Sequence, residues 1–141
     1  MIWVYAVNMF VIGLAVMIHY EFLRRVSLLL PKIHIKHRFR IVLGVCGALT
    51  AHAAEVWIFA ISFYLMHHAE GWGHLEGNFN GSLLDCVYFS FTTFTTLGTG
   101  DIEPFGDLRF LTGLESLTGL VLITWTASFL YLEMSRYWDD Q

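Results

Sequence analysis

LLDCVYFSFTTFTTLGTGDIEP, residues 83–104, is the stretch on which the reading of this chain turns. It opens on Leu83 to Thr96, about 14 mostly apolar residues, preceded by Gly81-Ser82 and carrying Asp85 three places after Ser82. A serine followed at that distance by an acid resembles a helix N-terminus, with Ser82 as the cap. The helix predicted from there reaches about Thr95 and cannot continue through Gly98 and Gly100. The run Thr96-Leu97-Gly98-Thr99-Gly100-Asp101 reads instead as a short extended strand with glycine at alternate positions. A helix of about 14 residues is too short to cross a bilayer, which takes about 20, so the segment reads as re-entrant.

The composition of the whole chain points to such a bilayer. Its 141 residues suit one domain, 56% are hydrophobic and 14% charged, and the mean hydropathy is +0.58. Soluble domains carry about 25% charged residues. A net charge of −4 gives no reason to expect nucleic acid as a partner. Three stretches are long and apolar enough to span: Met1 to about Phe22, Ile41 to about Met66, and about Leu108 to Tyr131. Cys46 and Cys86 have no metal-type spacing and read as small buried hydrophobes. The N-terminus lacks a basic region followed by a cleavage site, so the first apolar run reads as a retained helix.

Charge then sets the orientation. Arg24, Arg25, Lys32, Lys36, Arg38 and Arg40 lie between the first two spans. The stretch His68 to Asp107 has no Lys or Arg and carries Glu70, Glu76, Asp85, Asp101, Glu103 and Asp107. The positive-inside rule puts the basic connector in the cytoplasm of a plasma (inner) membrane, the N-terminus and acidic loop outside, and the C-terminus inside. The 83–104 stretch therefore dips in from the outer face and returns to it. Non-helical backbone at that depth is tolerated only inside protein or along a watery path. A ring of its carbonyls can replace an ion's hydration shell, and the helix before it presents its negative end to the membrane centre.

Thr-Thr-Leu-Gly-Thr-Gly-Asp, residues 95–101, resembles the potassium-channel signature Thr-Thr-Val-Gly-Tyr-Gly-Asp. The likeness extends to Tyr88-Phe89-Ser90 on the pore helix, to Pro104 after the filter, and to Gly119 where the inner helix of that family has its hinge glycine. It covers about residues 41–136. The resemblance implies an all-α membrane protein with three transmembrane helices, a re-entrant pore helix, a selectivity-filter loop and a homotetrameric pore. It implies 41–136 as the pore domain, while 1–40, an extra N-terminal helix and basic loop, have no counterpart in the simplest members of that family. Within the pore domain it implies an outer helix 41–67, outer loop 68–82, pore helix 83–95, filter 96–101 and inner helix 108–136, with 137–141 as a cytoplasmic tail. Potassium, or sodium as a second permeant ion, would be held by the carbonyls of Thr96, Leu97, Gly98 and Thr99 and the Thr96 hydroxyl. Gly100, Asp101, Tyr88, Thr92 and Glu115 would support the filter. Gly119, Leu120, Ile123, Ala127 and Tyr131 would form the hinge and the pore-facing stripe at helical spacing.

Thr99 departs from the pattern by replacing an aromatic residue that braces the filter. Unless Tyr88 or Phe94 fills the space, potassium should be preferred over sodium less strongly than in tyrosine-containing relatives. A non-selective cation channel and a non-conducting subunit with the pore fold are the alternatives. A haem protein using His19 and His52 as axial ligands is a remote one, because it leaves TTLGTGD unexplained. No nucleophile or metal constellation suggests an enzyme or a cofactor. Glu115 is expected to bond Thr92 or Thr95 behind the filter. His52 and Glu55, three apart on one helix face, are expected to pair locally or across helices. His67, His68, Glu70, His74 and Glu76 read as a solvated outer loop rather than a zinc site. No arginine-repeat voltage sensor is present.

Overall fold

The computed structural model describes residues 2–138. Of three long helices, α1 (Ile2–Leu29), α2 (His37–His68) and α4 (Leu108–Trp138), the last two carry a short helix α3 (Leu83–Phe94) between them in sequence and packed on both. Two four-residue strands, β1 (His74–Gly77) and β2 (Ile102–Phe105), complete the chain. The three long helices are each apolar and long enough to cross a membrane. α3 is not, at 12 residues.

α1 runs a full turn or more past the expected end near Phe22. Glu21 accepts hydrogen bonds from Arg24 (3.0 Å) and Arg25 (2.8 Å), so these charges pair on the helix surface instead of breaking it. Pro31, inside a 3-10 turn at Leu30–Lys32, ends it. α4 likewise continues to Trp138, past the expected boundary at 136, and residues 139–141 of the expected tail lie outside the described residues.

The packing follows from a size gradient along α2. Its buried stripe is small at one end, with Gly44, Ala48 and Ala51, and large at the other, with Phe59 and Phe63. Small residues let helices approach closely in a membrane. The large ones spread the bundle and make contact with α3, where Phe63 meets Phe89 edge-on at 5.0 Å and Phe59 meets Phe94 at 6.4 Å. α1 offers a single stripe of Asn8, Val11, Ala15, His19 and Leu23 and packs on both α2 and α4.

Where α3 ends, it rests on α4. A Cβ on Gly119 would lie 2.0 Å from the Phe94 carbonyl oxygen. The structure thus gives Gly119 a packing reason: only glycine lets the last turn of α3 sit directly on the inner helix. Gly119 is about 11 residues into α4, or about 16 Å at 1.5 Å per residue, so α3 ends deep within the helical bundle.

The outer loop, expected to be solvated, is largely exposed and also carries a strand, β1. It pairs antiparallel with β2, in the register His74 to Phe105 and Gly77 to Ile102. The asparagine after β1 extends the tie, its Asn78 N–H donating to the Asp101 carbonyl at 2.8 Å. Gly77 has φ +103°, and a Cβ there would stand 2.2 Å from that same carbonyl oxygen.

Gly119→Ala should therefore overpack against backbone that cannot yield. Overpacking commonly costs about 1–3 kcal/mol, and this contact should reach the upper end. Gly113→Ala, with nothing within 4 Å of the added Cβ, should be neutral or stabilise by up to about 1 kcal/mol. Thermal unfolding in detergent, followed by size-exclusion chromatography, separates the two. Equal behaviour of the variants would contradict the close α3–α4 contact.

Candidate ion pathway

α3 starts as a reciprocal cap. Ser82 Oγ accepts from Asp85 N–H (3.1 Å), Asp85 Oδ2 accepts from Asn80 N–H (2.8 Å), and Asn80 Oδ1 accepts from Ser82 N–H (2.8 Å). At its other end the chain folds back onto the helix that precedes it. Thr96 N–H donates to the Thr93 carbonyl and Gly98 N–H to the Thr92 carbonyl, both at 3.0 Å. Three alternate residues, Thr96 (φ 60°), Gly98 (φ 53°) and Gly100 (φ 77°), are left-handed. Glycine takes this conformation freely, whereas a threonine there costs about 1–3 kcal/mol and persists only where its surroundings impose it. Alternating the hand of successive residues turns their carbonyls toward one side of the strand. Residues 95–100 are all exposed in the single chain.

The far end of this strand is held by side chains. Thr99 donates its hydroxyl to Asp101 in a short hydrogen bond, and Tyr88 reaches Thr99 Oγ1 at 3.1 Å from α3. With the Thr99 hydrogen committed to Asp101, the Tyr88 hydroxyl is the donor of that contact. The Thr99 hydroxyl foremost, with Tyr88 behind it, holds the Asp101 carboxyl below its ordinary range. Phe94 lies elsewhere, buried against Phe59 and His52, so it does not stand in for the missing aromatic ring.

Glu115 is fully buried, and its partner is not the expected one. Thr92 and Thr95 both return their hydroxyls to carbonyls of their own helix, Phe89 and Phe91, as helical threonines do. Ser90 is free to turn outward and makes a short hydrogen bond to Glu115 Oε1 while lying 2.8 Å from the Val56 carbonyl. One serine thus joins α2, α3 and α4 behind the strand. Ser116, also on α4, adds a bond to the Thr93 carbonyl at 3.2 Å.

Leu120, Ile123, Ala127 and Tyr131 share one exposed stripe of α4, away from the face that carries Leu111, Glu115, Leu122 and Thr126. The outer histidines diverge. His67 accepts from Leu75 N–H at 3.0 Å, His68 bonds the Tyr64 carbonyl, and His74 pairs with Glu76 at 2.8 Å while stacking on Phe105. His67 and His74 thus brace the strand pair, while His68 bonds within α2.

Nearer the middle of α2, His52 does pair with Glu55, at 2.8 Å, and Glu55 also takes His19 from α1 at 2.8 Å. The sequence offers no signal for that second partner beyond a lone histidine on an apolar face. These imidazoles stack at 5.3 Å with 27° between their planes. Axial haem ligands approach iron from opposite faces of a porphyrin, and rings this close leave no room for one. The haem alternative is therefore set aside.

A family model described as an ion channel matches residues 51–135, from within α2 nearly to the end of α4. No curated protein and no solved structure matches the chain significantly. α1 and the basic connector lie outside the matched span. With three apolar helices of spanning length, a short helix that ends inside the bundle and a glycine-punctuated strand after it, the chain is an integral membrane channel protein and not an enzyme, and it belongs to the potassium-channel-type pore-loop ion channel family.

Proposed function

We propose that four copies of this chain surround one pore and conduct potassium passively through residues 96–101. The observation that carries this reading is the strand itself: left-handed at 96, 98 and 100, hydrogen-bonded to the end of α3, and otherwise exposed. Bare backbone deep in a membrane protein must line a watery path or be covered by protein. Four strands around an axis satisfy both conditions, with the Thr96, Leu97, Gly98 and Thr99 carbonyls facing the ions and neighbouring copies covering the rest. The Thr96 hydroxyl adds the innermost ligand. Gly100 and Asp101 close the outer end, and Thr92 and Glu115 support the strand from behind. Leu120, Ile123, Ala127 and Tyr131, with Gly119 beside them, line the inner path, and their apolar character suits gating by dewetting. The basic connector is cytoplasmic and the N-terminus outside, in a plasma membrane.

Selectivity for potassium is part of this reading, and Tyr88 supports it. The brace that an aromatic residue at position 99 would supply comes instead from α3, through the Tyr88–Thr99–Asp101 chain. Discrimination then depends on a hydroxyl and not on a ring. Tyr88→Phe keeps the ring and removes one neutral hydrogen bond, worth about 1 kcal/mol net, so the potassium-over-sodium permeability ratio should fall about fivefold. Thr99→Tyr places a second ring where Tyr88 already reaches, and should lower conductance or assembly through overpacking. Bi-ionic reversal potentials decide this. A wild-type ratio near one supports the non-selective alternative, and an unchanged ratio in Tyr88→Phe removes Tyr88 from the account.

Three further outcomes test the remaining parts. Gly98→Ala puts a Cβ on a left-handed residue and should abolish current in a channel that still assembles. Normal current would exclude this filter. Thr99→Val removes the bond that does most to hold the Asp101 carboxyl down, so it titrates nearer its ordinary range. A depressed carboxylate keeps its charge above the ordinary range and loses it only as pH falls through the lower folded value. External acid should thus weaken current at higher pH in the variant than in the wild type, and coincident acid profiles would deny the Thr99–Asp101 bond. Lys36→Cys, in a background without Cys46, should react with a membrane-impermeant thiol reagent only from the cytoplasmic side. Reaction from outside would invert the topology.

A further inference from the structure

Half-way along α2, one carboxylate gathers side chains from three helices. Glu55 Oε1 lies 2.8 Å from His19 Nδ1 on α1, and Glu55 Oε2 lies 2.8 Å from His52 Nδ1. On the far side of both rings stands Thr126 of α4, its Oγ1 3.3 Å from His19 Nε2 and 3.0 Å from His52 Nε2. Glu55 and His19 are 0% exposed, and Trp125 and Phe94 close the site with rings 5.2 and 5.8 Å from the imidazoles.

With both imidazoles neutral, this cluster is short of one hydrogen. A carboxylate only accepts, so each Nδ1 facing Glu55 must carry a hydrogen. Two neutral imidazoles then turn two bare Nε2 atoms toward one hydroxyl, which has one hydrogen to give. One of those contacts then has no hydrogen in it and the buried carboxylate no counter-charge, a deficit that either a proton on one imidazole or a bound cation makes good.

We propose that His19, Glu55 and His52 form a binding site for one divalent transition-metal ion of the zinc class, with Nδ1 of each imidazole and the Glu55 carboxylate as ligands. Each ring keeps its single hydrogen and moves it from Nδ1 to Nε2. Both Nε2–H groups then donate to the two lone pairs of Thr126 Oγ1, so each histidine–threonine contact contains a hydrogen. Ligating imidazoles regularly donate their other N–H to an oxygen in this way. Two histidines and a carboxylate are an established donor set for zinc, whose ligand atoms at about 2.1 Å in tetrahedral array lie about 3.4 Å apart. Here, neighbouring donors are 2.8 Å apart and the three residues' ligand atoms all fall within 4.8 Å, the one such group among the described residues. Small rotations of the two rings therefore suffice to admit the ion. Binding replaces the net negative charge of the cluster by one unit of positive charge, so its benefit lies in coordination and completed hydrogen bonds rather than in neutrality. The ion would staple α1, which lies outside the matched family region, to α2, and through Thr126 to the inner helix one residue from Ala127. This holds whether or not the pore conducts potassium.

Metal content of the purified, detergent-solubilised chain, measured by inductively coupled plasma mass spectrometry after incubation with zinc alone and removal of excess, tests the site. The wild type should hold about one zinc per chain, with nitrogen and oxygen neighbours at about 2.0–2.1 Å by X-ray absorption. His52→Gln and Glu55→Gln should retain less than a tenth of that, and His74→Gln in the outer strand pair should retain all of it. Thr126→Val keeps every ligand and should bind about 10–100-fold more weakly, which gives a reading even where Glu55→Gln fails to fold. A folded wild type that takes up no zinc would overturn the proposal, leaving a cluster held by hydrogen bonds alone. Zinc retained in His52→Gln, or lost in His74→Gln, would overturn it as well.

Discussion

Backbone amides and carbonyls left bare inside a membrane protein each cost several kcal/mol, yet this chain abandons the helix at Thr95, deep in its bundle. Much of the surrounding architecture answers that one constraint. The first N–H groups beyond the helix, at Thr96 and Gly98, are turned back onto the last carbonyls of α3. Gly119 removes the side chain that would keep the end of α3 off α4. At the outer end, Asn78 takes up the Asp101 carbonyl and the strand pair fixes the return path. What remains exposed in a single chain is the backbone of residues 95–100, which the proposed assembly would gather around its axis.

Polar side chains buried between the helices form two layers, and each joins more than one helix. Ser90 connects α3 to Val56 of α2 and Glu115 of α4 directly behind the strand. Glu55 connects α1 and α2, and the two histidines it holds reach Thr126 of α4. Hydrocarbon gives apolar helices little reason to prefer one register over another, so buried polar contacts and close-packed small residues carry that information. The gradient along α2, from Gly44 and Ala48 to Phe59 and Phe63, does the complementary job of opening the bundle to receive α3.

Features that depend on neighbours in sequence were legible from the sequence alone. The Ser82 cap, the short apolar helix and the alternating glycines all lie within about 20 residues of one another, and span length is a matter of counting. The strand pair was not legible, because two four-residue segments about 30 residues apart are too short to signal a strand and pair only through the tertiary fold. Glu115 was assigned to Thr92 or Thr95 because threonines cluster there. Their hydroxyls were already committed to their own helix, and the less conspicuous Ser90 was left to meet the acid. The His52–Glu55 pair was readable from its spacing of three, whereas His19 lies 36 residues from Glu55 and needed the helix packing to find it. For Thr99 the sequence left two residues that could fill the space of the missing ring, and only the packing separates them: Tyr88 reaches Thr99 from 11 positions away, whereas Phe94 lies against Phe59 and His52.

The central claim is that four 96–101 strands converge on one axis and hold dehydrated cations there. An experimental map of the assembled protein in rubidium or thallium, whose anomalous signal marks permeant cations, tests it most directly. The account predicts fourfold symmetry and a column of ion density on the axis between the Thr96 hydroxyls and the Gly100 level. An assembly of other symmetry, or a fourfold one with no density between those levels, would contradict it.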